Sequence, residues 1–403
     1  MNSKRGSSSV FLSVIFAALI AIVLALVYGA REESVRSRAD AVLNLAGDSV
    51  MSEYNSDVQK EYGLFMLNGS DRELSSKLRR YAEYSLQDMK DVEIEKITVS
   101  TGRFSAADTG LIKDQIIEYM KLAAAEDSFN QRKDDTENGN AGNSMEYRTL
   151  RHGPTAVSLP SVAVPDKSLT AMAEGLTERV KEMDKVFRDG SESYMINMYI
   201  LSHFNNRAEA VNTNHFFRNE AEYILAGEAS DIKNEKRVEM ALKAMRFPLN
   251  IAHIYQDPEK RAATLAMAEV MTPGALAPAT QAALCATWAY AESDNDVELL
   301  WQGYKVPMIK DKASWATYLE NAVEGITGDA ILPEKEEGYD YGQYLQILMF
   351  FQDENIKISR ILDLIQINIR KSYDGEFFVN ECGAGIYIEA VINGRNYGYE
   401  KKY

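Results

Sequence analysis

The chain has 403 residues, 46% of them hydrophobic, and a formal net charge of −16. That length gives room for two or three domains, or one elaborated domain, with a sizeable core. An acidic body repels nucleic acid and anionic lipid, so no nucleic acid partner is expected; two cysteines in no ligand spacing exclude a cysteine-held metal.

The segment Val10–Ala30, VFLSVIFAALIAIVLALVYGA, carries no charged residue. As a helix it reaches roughly 30 Å, the depth of a bilayer's hydrocarbon core. Residues 1–30 are therefore expected to form a cytoplasmic tail and a transmembrane helix, with Lys4 and Arg5 keeping the N-terminus inside and the rest extracytoplasmic. Arg31, Arg36 and Arg38 on the far side oppose that orientation. A cleaved secretory leader is the alternative, but its apolar region spans only about 7–15 residues and Tyr28-Gly29-Ala30 fits its cleavage site poorly. Ser13, Ala17, Ala21, Ala25 and Gly29 recur every fourth residue. This small-xxx-small row is the candidate helix-packing interface, for self-association or for a partner subunit, although alanine is common in any anchor.

Beyond the span, Val35, Ala39, Val42, Ala46, Val50, Tyr54, Val58 and Tyr62 keep spacings of three and four among polar residues, the pattern of an amphipathic helix. A single rod is expected, interrupted at modest cost by Gly47 and ending near Gly63. Gly63–Leu67 then reads as a strand closed by the turn Asn68-Gly69-Ser70-Asp71, Glu73–Met89 as a helix, Val92–Ser100 as a half-buried strand and Thr109–Ala125 as a helix. Residues 31–129 form the long helix plus a small α+β unit in this reading.

Residues 130–167, polar at first and then punctuated by Pro154, Pro160 and Pro165, read as a linker or long loop. Residues 168–403 read as a mainly helical α+β domain with a C-terminal β-hairpin. It opens with a helix over Leu169–Phe187 and a buried strand over Ser191–Leu201, whose apolar residues run on both faces. Helices fill most of Asn234–Tyr304, ending at Gly303, and two more follow Tyr341. The hairpin is placed at GEFFVNE and GIYIEAVING, with Cys382-Gly383-Ala384-Gly385 at its turn. Five or more strands are expected to share one sheet. The fold class is α+β: a transmembrane helix continuing into a long amphipathic helix, then a mixed sheet with a large helical portion.

No Gly-rich phosphate loop and no Gly-x-Ser-x-Gly elbow occurs, so no catalytic residue and no cofactor is assigned. His203 and His215 with Glu220 and Glu222 are the nearest approach to a ligand cluster, in a spacing unlike zinc motifs; hydrogen-bonded structural roles are expected, and a metal-dependent hydrolase would require His203, His215 and a carboxylate to converge. His152 and His253 stand alone. The acidic run Glu292, Asp294, Asp296 and Glu298 reads as a solvated helix end, or else as an attractor for a cation or basic partner. Tyr339, Tyr341 and Tyr344, and Tyr397, Tyr399 and Tyr403, read as core or interface packing, or as a glycan-stacking surface. Cys285 is expected to be a buried thiol; it could bridge to Cys382 only if the fold brings them together.

Several stretches resemble a known family: the Lys4-Arg5-Gly6 start, DAVLNLAGDSVMSEYN (40–55), EYGLF (61–65), FFRNEAEYILAGEASDIKNE (216–235), ATWAYAESDNDVELLWQGYKVPMIKDKASW (286–315), DYGQYLQILMFFQ (340–352) and ISRILDLIQINIR (358–370). With these the chain resembles the TadE/TadG-like proteins of tight-adherence, Flp-type pilus loci, and more closely the long Gram-positive proteins encoded with that machinery. The resemblance implies a non-enzymatic, minor-pilin-like or accessory component in contact with the lipid bilayer and with other pilus or pseudopilin subunits. Prepilins of this class are cut after a glycine with a glutamate five residues beyond the cut. Gly6 and Ser7 occupy the cut position, but Phe11 stands where the glutamate belongs, so an uncut anchor is expected. An anchored receptor for a peptide, glycan or envelope polymer is the alternative function.

Overall fold

The computed structural model describes residues 4–87, 92–125, 145–150, 159–163, 169, 191–325 and 329–403. In chain order the elements are α1 (Lys4–Met51), α2 (Ser56–Tyr62), β1 (Leu67–Asn68), α3 (Asp71–Leu86), β2 (Ile94–Ser100), α4 (Thr109–Ala125), α5 (Glu192–His203), α6 (Glu220–Ala226), α7 (Asp231–Gln256), α8 (Pro258–Met271), α9 (Ala277–Trp301), α10 (Leu319–Glu324), α11 (Tyr341–Phe350), α12 (Glu354–Ser372), β3 (Cys382–Gly383), β4 (Gly385–Ile392) and β5 (Arg395–Lys402). The class is α+β. These elements divide into two compact units, one of residues 1–55, 65–106 and 381–403, the other of 56–64 and 107–380. The units are thus discontinuous in sequence rather than parted at 130–167, and the C-terminal hairpin belongs with α1.

In the first unit α1 has two halves of opposite character. From Val10 to Tyr28 its large apolar side chains are 41–71% exposed. From Ala39 onward Ala39, Leu43, Ala46 and Val50 are buried at spacings of four and three, the stripe that faces a core. Against that stripe lie α3, carrying Leu74, Leu78 and Ala82, and the sheet face of Ile97, Val99, Ile386, Ile388, Ala390 and Ile392. The sheet has the order β2-β4-β5, antiparallel throughout. Its central strand β4 alternates buried Ile386, Ile388, Ala390 and Ile392 with more open Tyr387, Glu389 and Val391, as a one-sided sheet requires. A capping box between Ser70 and Glu73 starts α3, so the expected turn is in part a helix cap.

β5 runs alongside α1 and is fastened to it in register. Arg395 pairs with Glu32, the Tyr399 hydroxyl donates to Asp40, Lys401 pairs with Asp48 at 2.5 Å, and the Tyr403 hydroxyl donates to the Met51 carbonyl. From Arg395 to Tyr403 a strand climbs roughly 26 Å, and from Glu32 to Met51 a helix climbs roughly 28 Å, so the two repeats stay in step.

Five expectations are corrected here. The rod ends at Met51, where Ser52 to Asn55 leave the helix and the Asn55 amide donates to the Met66 carbonyl; α2 is a separate helix. Only Leu67 of the strand expected over Gly63–Leu67 enters a ladder, pairing with Gly383. The strand expected at Ser191–Leu201 is helix α5, because Ser191 caps it by accepting from the Tyr194 amide, and a buried helix is apolar on more than one side. The hairpin turn is Asn393-Gly394, both at positive φ (49° and 71°), the two-residue I′ geometry, whereas Cys382-Gly383 forms β3 and GEFFVNE forms no strand. Among the described residues the five strands make two sheets, of two and three strands, and not one.

The second unit is built around α12, in which every residue from Ile356 to Ile369 is buried. Helices α7, α8 and α9 cover Asn234–Tyr304 as expected, and α4 matches its expected span. Within the stretch expected as a linker, the Leu150 amide donates to Ala229 and the Ser161 amide to Asp363, so both points are held on this unit. The rest of 130–167, with His152, and the helix expected over Leu169–Phe187 beyond its first residue, lie outside the described residues.

Gly47 sits on the buried side of α1 rather than merely interrupting it. A Cβ there would come within 2.7 Å of Lys401 Cε and 2.8 Å of Ile388 Cδ1. Replacing it by valine gains helix propensity of a few tenths of a kcal/mol but overpacks the hairpin at a cost of about 1–3 kcal/mol. Gly47→Val should therefore lower the stability of the first unit in a urea titration; an unchanged or raised midpoint contradicts the close approach.

Candidate functional site

The five small residues of the expected packing row all lie on the exposed half of α1. A Cβ at Gly29 would meet nothing within 4 Å, so this face is open for a neighbour. Gly6 and Ser7 fall within α1, and the exposure of neither is among the features described. Among the described residues α1 is the one helix long and apolar enough to cross a membrane.

The histidines and carboxylates of the second unit separate into distinct centres. His215 Nδ1 donates to Glu220 Oε2 at 2.7 Å, and its Nε2 faces the Tyr62 hydroxyl at 3.5 Å. Glu220 also accepts from the Asn205 amide at 2.9 Å and from Asn368 Nδ2 at 2.6 Å, which ties α6 to α12. Burial alone would push the His215 imidazole down, but the Glu220 carboxylate holds it above its ordinary value. His203 is not part of this centre. Its Nε2 meets the Tyr119 hydroxyl at 3.2 Å and its ring stacks on Tyr199. Glu222 turns elsewhere again, with Oε1 accepting from Tyr341 at 2.6 Å and from the Arg207 amide at 2.9 Å. The convergence of His203, His215 and one carboxylate that a metal-dependent hydrolase needs does not occur.

The acidic run is corrected more sharply. Glu292 and Asp296 are fully buried, and Lys310, 1% exposed, pairs with both, at 2.6 Å to Asp296. Asp296 also receives Arg246 Nε at 2.9 Å, and Glu292 accepts the Thr317 amide at 2.8 Å and its hydroxyl at 2.6 Å. The basic partner that the run attracts is therefore the chain's own. Nothing in the local sequence marks Lys310 and Arg246 as the partners, but the acids themselves carry a signal of burial. Trp288, Glu292, Asp296 and Leu300 follow at intervals of four, which puts both acids on the core face of α9.

The tyrosines form no open stacking surface. Tyr341 and Tyr344 are buried in the second unit, and Tyr397, Tyr399 and Tyr403 pack on the core of the first. Cys285 and Cys382 are buried and unbridged, in different units. A cleft of about 420 Å³ lies between α7 and α9, lined among others by Glu239, Lys243, Tyr290, Asp294, Glu298 and Trp301. Its carboxylates outnumber Lys243, which bridges Glu239 and Asp294, so a cationic group suits it better than an anion.

Geometry thus defines, among the described residues, an α+β protein with one bilayer-length helix and two units, the second of which holds ion pairs inside its core. Residues 152–394 match a family of unknown function, DUF5702, and because that is more than half the sequence the chain belongs to this family. No curated protein and no solved structure matches it.

Two measurements test the buried centres. Burial raises Glu222 to about 7 from an ordinary 4.5, because its Oε2 meets no donor among the described residues. A carboxyl raised in this way binds its proton more tightly when folded. Its contribution is complete below 4.5 and is lost as pH climbs through about 7, up to roughly 3 kcal/mol. Burial raises Asp231 and Asp363 as well, each to about 6, so stability moves in the same direction. All three tryptophans lie in the second unit and report its unfolding. Glu222→Gln should gain on the wild type between pH 5 and 8 in fluorescence-monitored melts; a pH-independent difference contradicts the assignment. Lys310→Met leaves the buried Glu292 without its counter-charge, while Asp296 keeps Arg246, and should cost about 3–5 kcal/mol, with much of the loss recovered when Glu292→Gln is added. Equal stability of the single and double variants would refute that account.

Proposed function

We propose that the chain is a single-pass, non-enzymatic structural or accessory subunit of a Tad-type pilus or secretion apparatus, with its N-terminus cytoplasmic and its body outside the cell. The observation that carries this reading is the division of α1. Its first half is bare and apolar, while its second half is the core stripe of a folded unit. A helix of this kind transmits the position of its lipid-held half directly to the first unit, because no flexible joint lies between Val10 and Met51. Pilin-like assembly needs that property: subunits associate through exposed apolar helices while globular parts project outward. The resemblance of DAVLNLAGDSVMSEYN and EYGLF to TadE/TadG-like proteins supports the choice of apparatus.

Within the span, Ala17, Ala21, Ala25 and Gly29 let a second helix approach closely, and bulk at the middle of the row separates the pair. Ala21→Leu with Ala25→Leu should abolish co-purification with other pilus components while leaving the chain in the membrane. Full recovery of those components with the double variant would exclude this face as the contact.

A further inference from the structure

The first unit holds a second cleft, of about 380 Å³, where α1 leaves its apolar half and the β4–β5 turn comes alongside. Tyr28, Arg31, Glu32, Arg36, Arg395 and Tyr397 line it. Three guanidinium groups and one carboxylate stand in its lining, with Glu33 and Asp40 acting on Tyr397 from beside it. In a chain whose overall charge is −16, a lining in which basic groups outnumber acidic ones is the local departure that an anionic group can use. Glu32 pairs with Arg395, which fixes that guanidinium over the cleft.

Depth selects the ligand. Tyr28 closes the apolar segment and is 71% exposed, as residues at a membrane interface are. Along the helix Arg31 stands roughly 4.5 Å beyond Tyr28 and Arg36 roughly 12 Å beyond it. The headgroup layer on one side of a bilayer is roughly 5–7 Å thick, so Arg31 lies within it and Arg36 just above. A planar guanidinium matches a phosphate through two parallel hydrogen bonds, which an ammonium cannot do.

We propose that this cleft binds the phosphate of a phospholipid headgroup, in the leaflet from which the body emerges. The site rests on α1 spanning the bilayer, though not on which side the body lies or on membership of a pilus. It turns the first unit's orientation on the membrane from a free rotation into a fixed one, because α1 and the hairpin that form the cleft belong to that one unit.

The test is native mass spectrometry of the full-length chain released from detergent, with added phosphatidylglycerol, diacylglycerol or inorganic phosphate. The wild type should retain phosphatidylglycerol and not diacylglycerol, which lacks the phosphate. Arg31→Gln with Arg395→Gln should lower retention by at least roughly tenfold. Lys401→Gln, a basic residue of the same strand outside the cleft, should retain lipid as the wild type does. Equal retention by the double variant overturns the proposal. So does displacement of the lipid by millimolar inorganic phosphate, which would make the cleft a site for a free anion. Carbonate extraction of the same cells separates the two layers of the argument: a chain that leaves the membrane refutes the span and the lipid site together, whereas a retained chain with no lipid preference refutes the site alone.

Discussion

The alignment of β5 with the exit half of α1 is the constraint on which the first unit depends. A helix advances about 1.5 Å per residue and a strand about 3.3 Å, so side chains on the two can meet repeatedly only when the strand runs nearly along the helix axis. Here Glu32, Asp40, Asp48 and Met51 meet Arg395, Tyr399, Lys401 and Tyr403 in order. The small residues Ala39, Ala46 and Gly47 let the sheet come close enough for these contacts to form. Exposed ion pairs of this sort are individually worth little. Their effect is to set register on a contact that is held by the burial of Leu43, Val50, Ile386 and Ile388.

The second unit solves a different problem, that of ionic groups inside a helical core. α12 brings Lys357, Arg360, Asp363, Gln366 and Asn368 into the interior along with its apolar residues. Each finds a partner: Lys357 reaches Asn197 at 2.9 Å, Arg360 caps the last carbonyls of α6 at Ile224 and Leu225, and Asp363 accepts from Tyr223 at 2.8 Å. Gly227 follows α6 at a positive φ, and a Cβ there would collide with the Arg360 guanidinium. Buried ion pairs add little net stability over apolar packing, yet removing one partner is costly. Such a core tolerates few alternative arrangements of α6, α9 and α12.

Much of this was legible in the sequence. The uncharged segment from Val10 could only be a helix in an apolar setting, Thr109–Ala125 was delimited by its period, and the stripe Ala39, Ala46, Val50 was plain from spacing. Ser191–Leu201 was misread because a segment apolar on all sides has no period from which to choose between helix and strand. The run Cys382-Gly383-Ala384-Gly385 has the small residues of a turn, but the pair Asn393-Gly394 supplies the positive φ at both positions that a two-residue hairpin needs, and the turn forms there. Glu292 and Asp296 were read as solvated because charge is ordinarily outside, a rule that fails wherever counter-charges from elsewhere in the chain can follow it inward.

By itself the sequence determined the bilayer-length helix, the α+β class and the spans of α3 and α4, because each depends on local period, capping groups and apolar length. Only the tertiary structure decided that residues 381–403 return to α1, that Lys310 and Arg246 neutralise the acids of α9, and that Arg395 joins Arg31 beside Tyr28. Those contacts join residues up to several hundred positions apart. Their formation depends on which surfaces of the folded chain can pack together, and no local pattern records that.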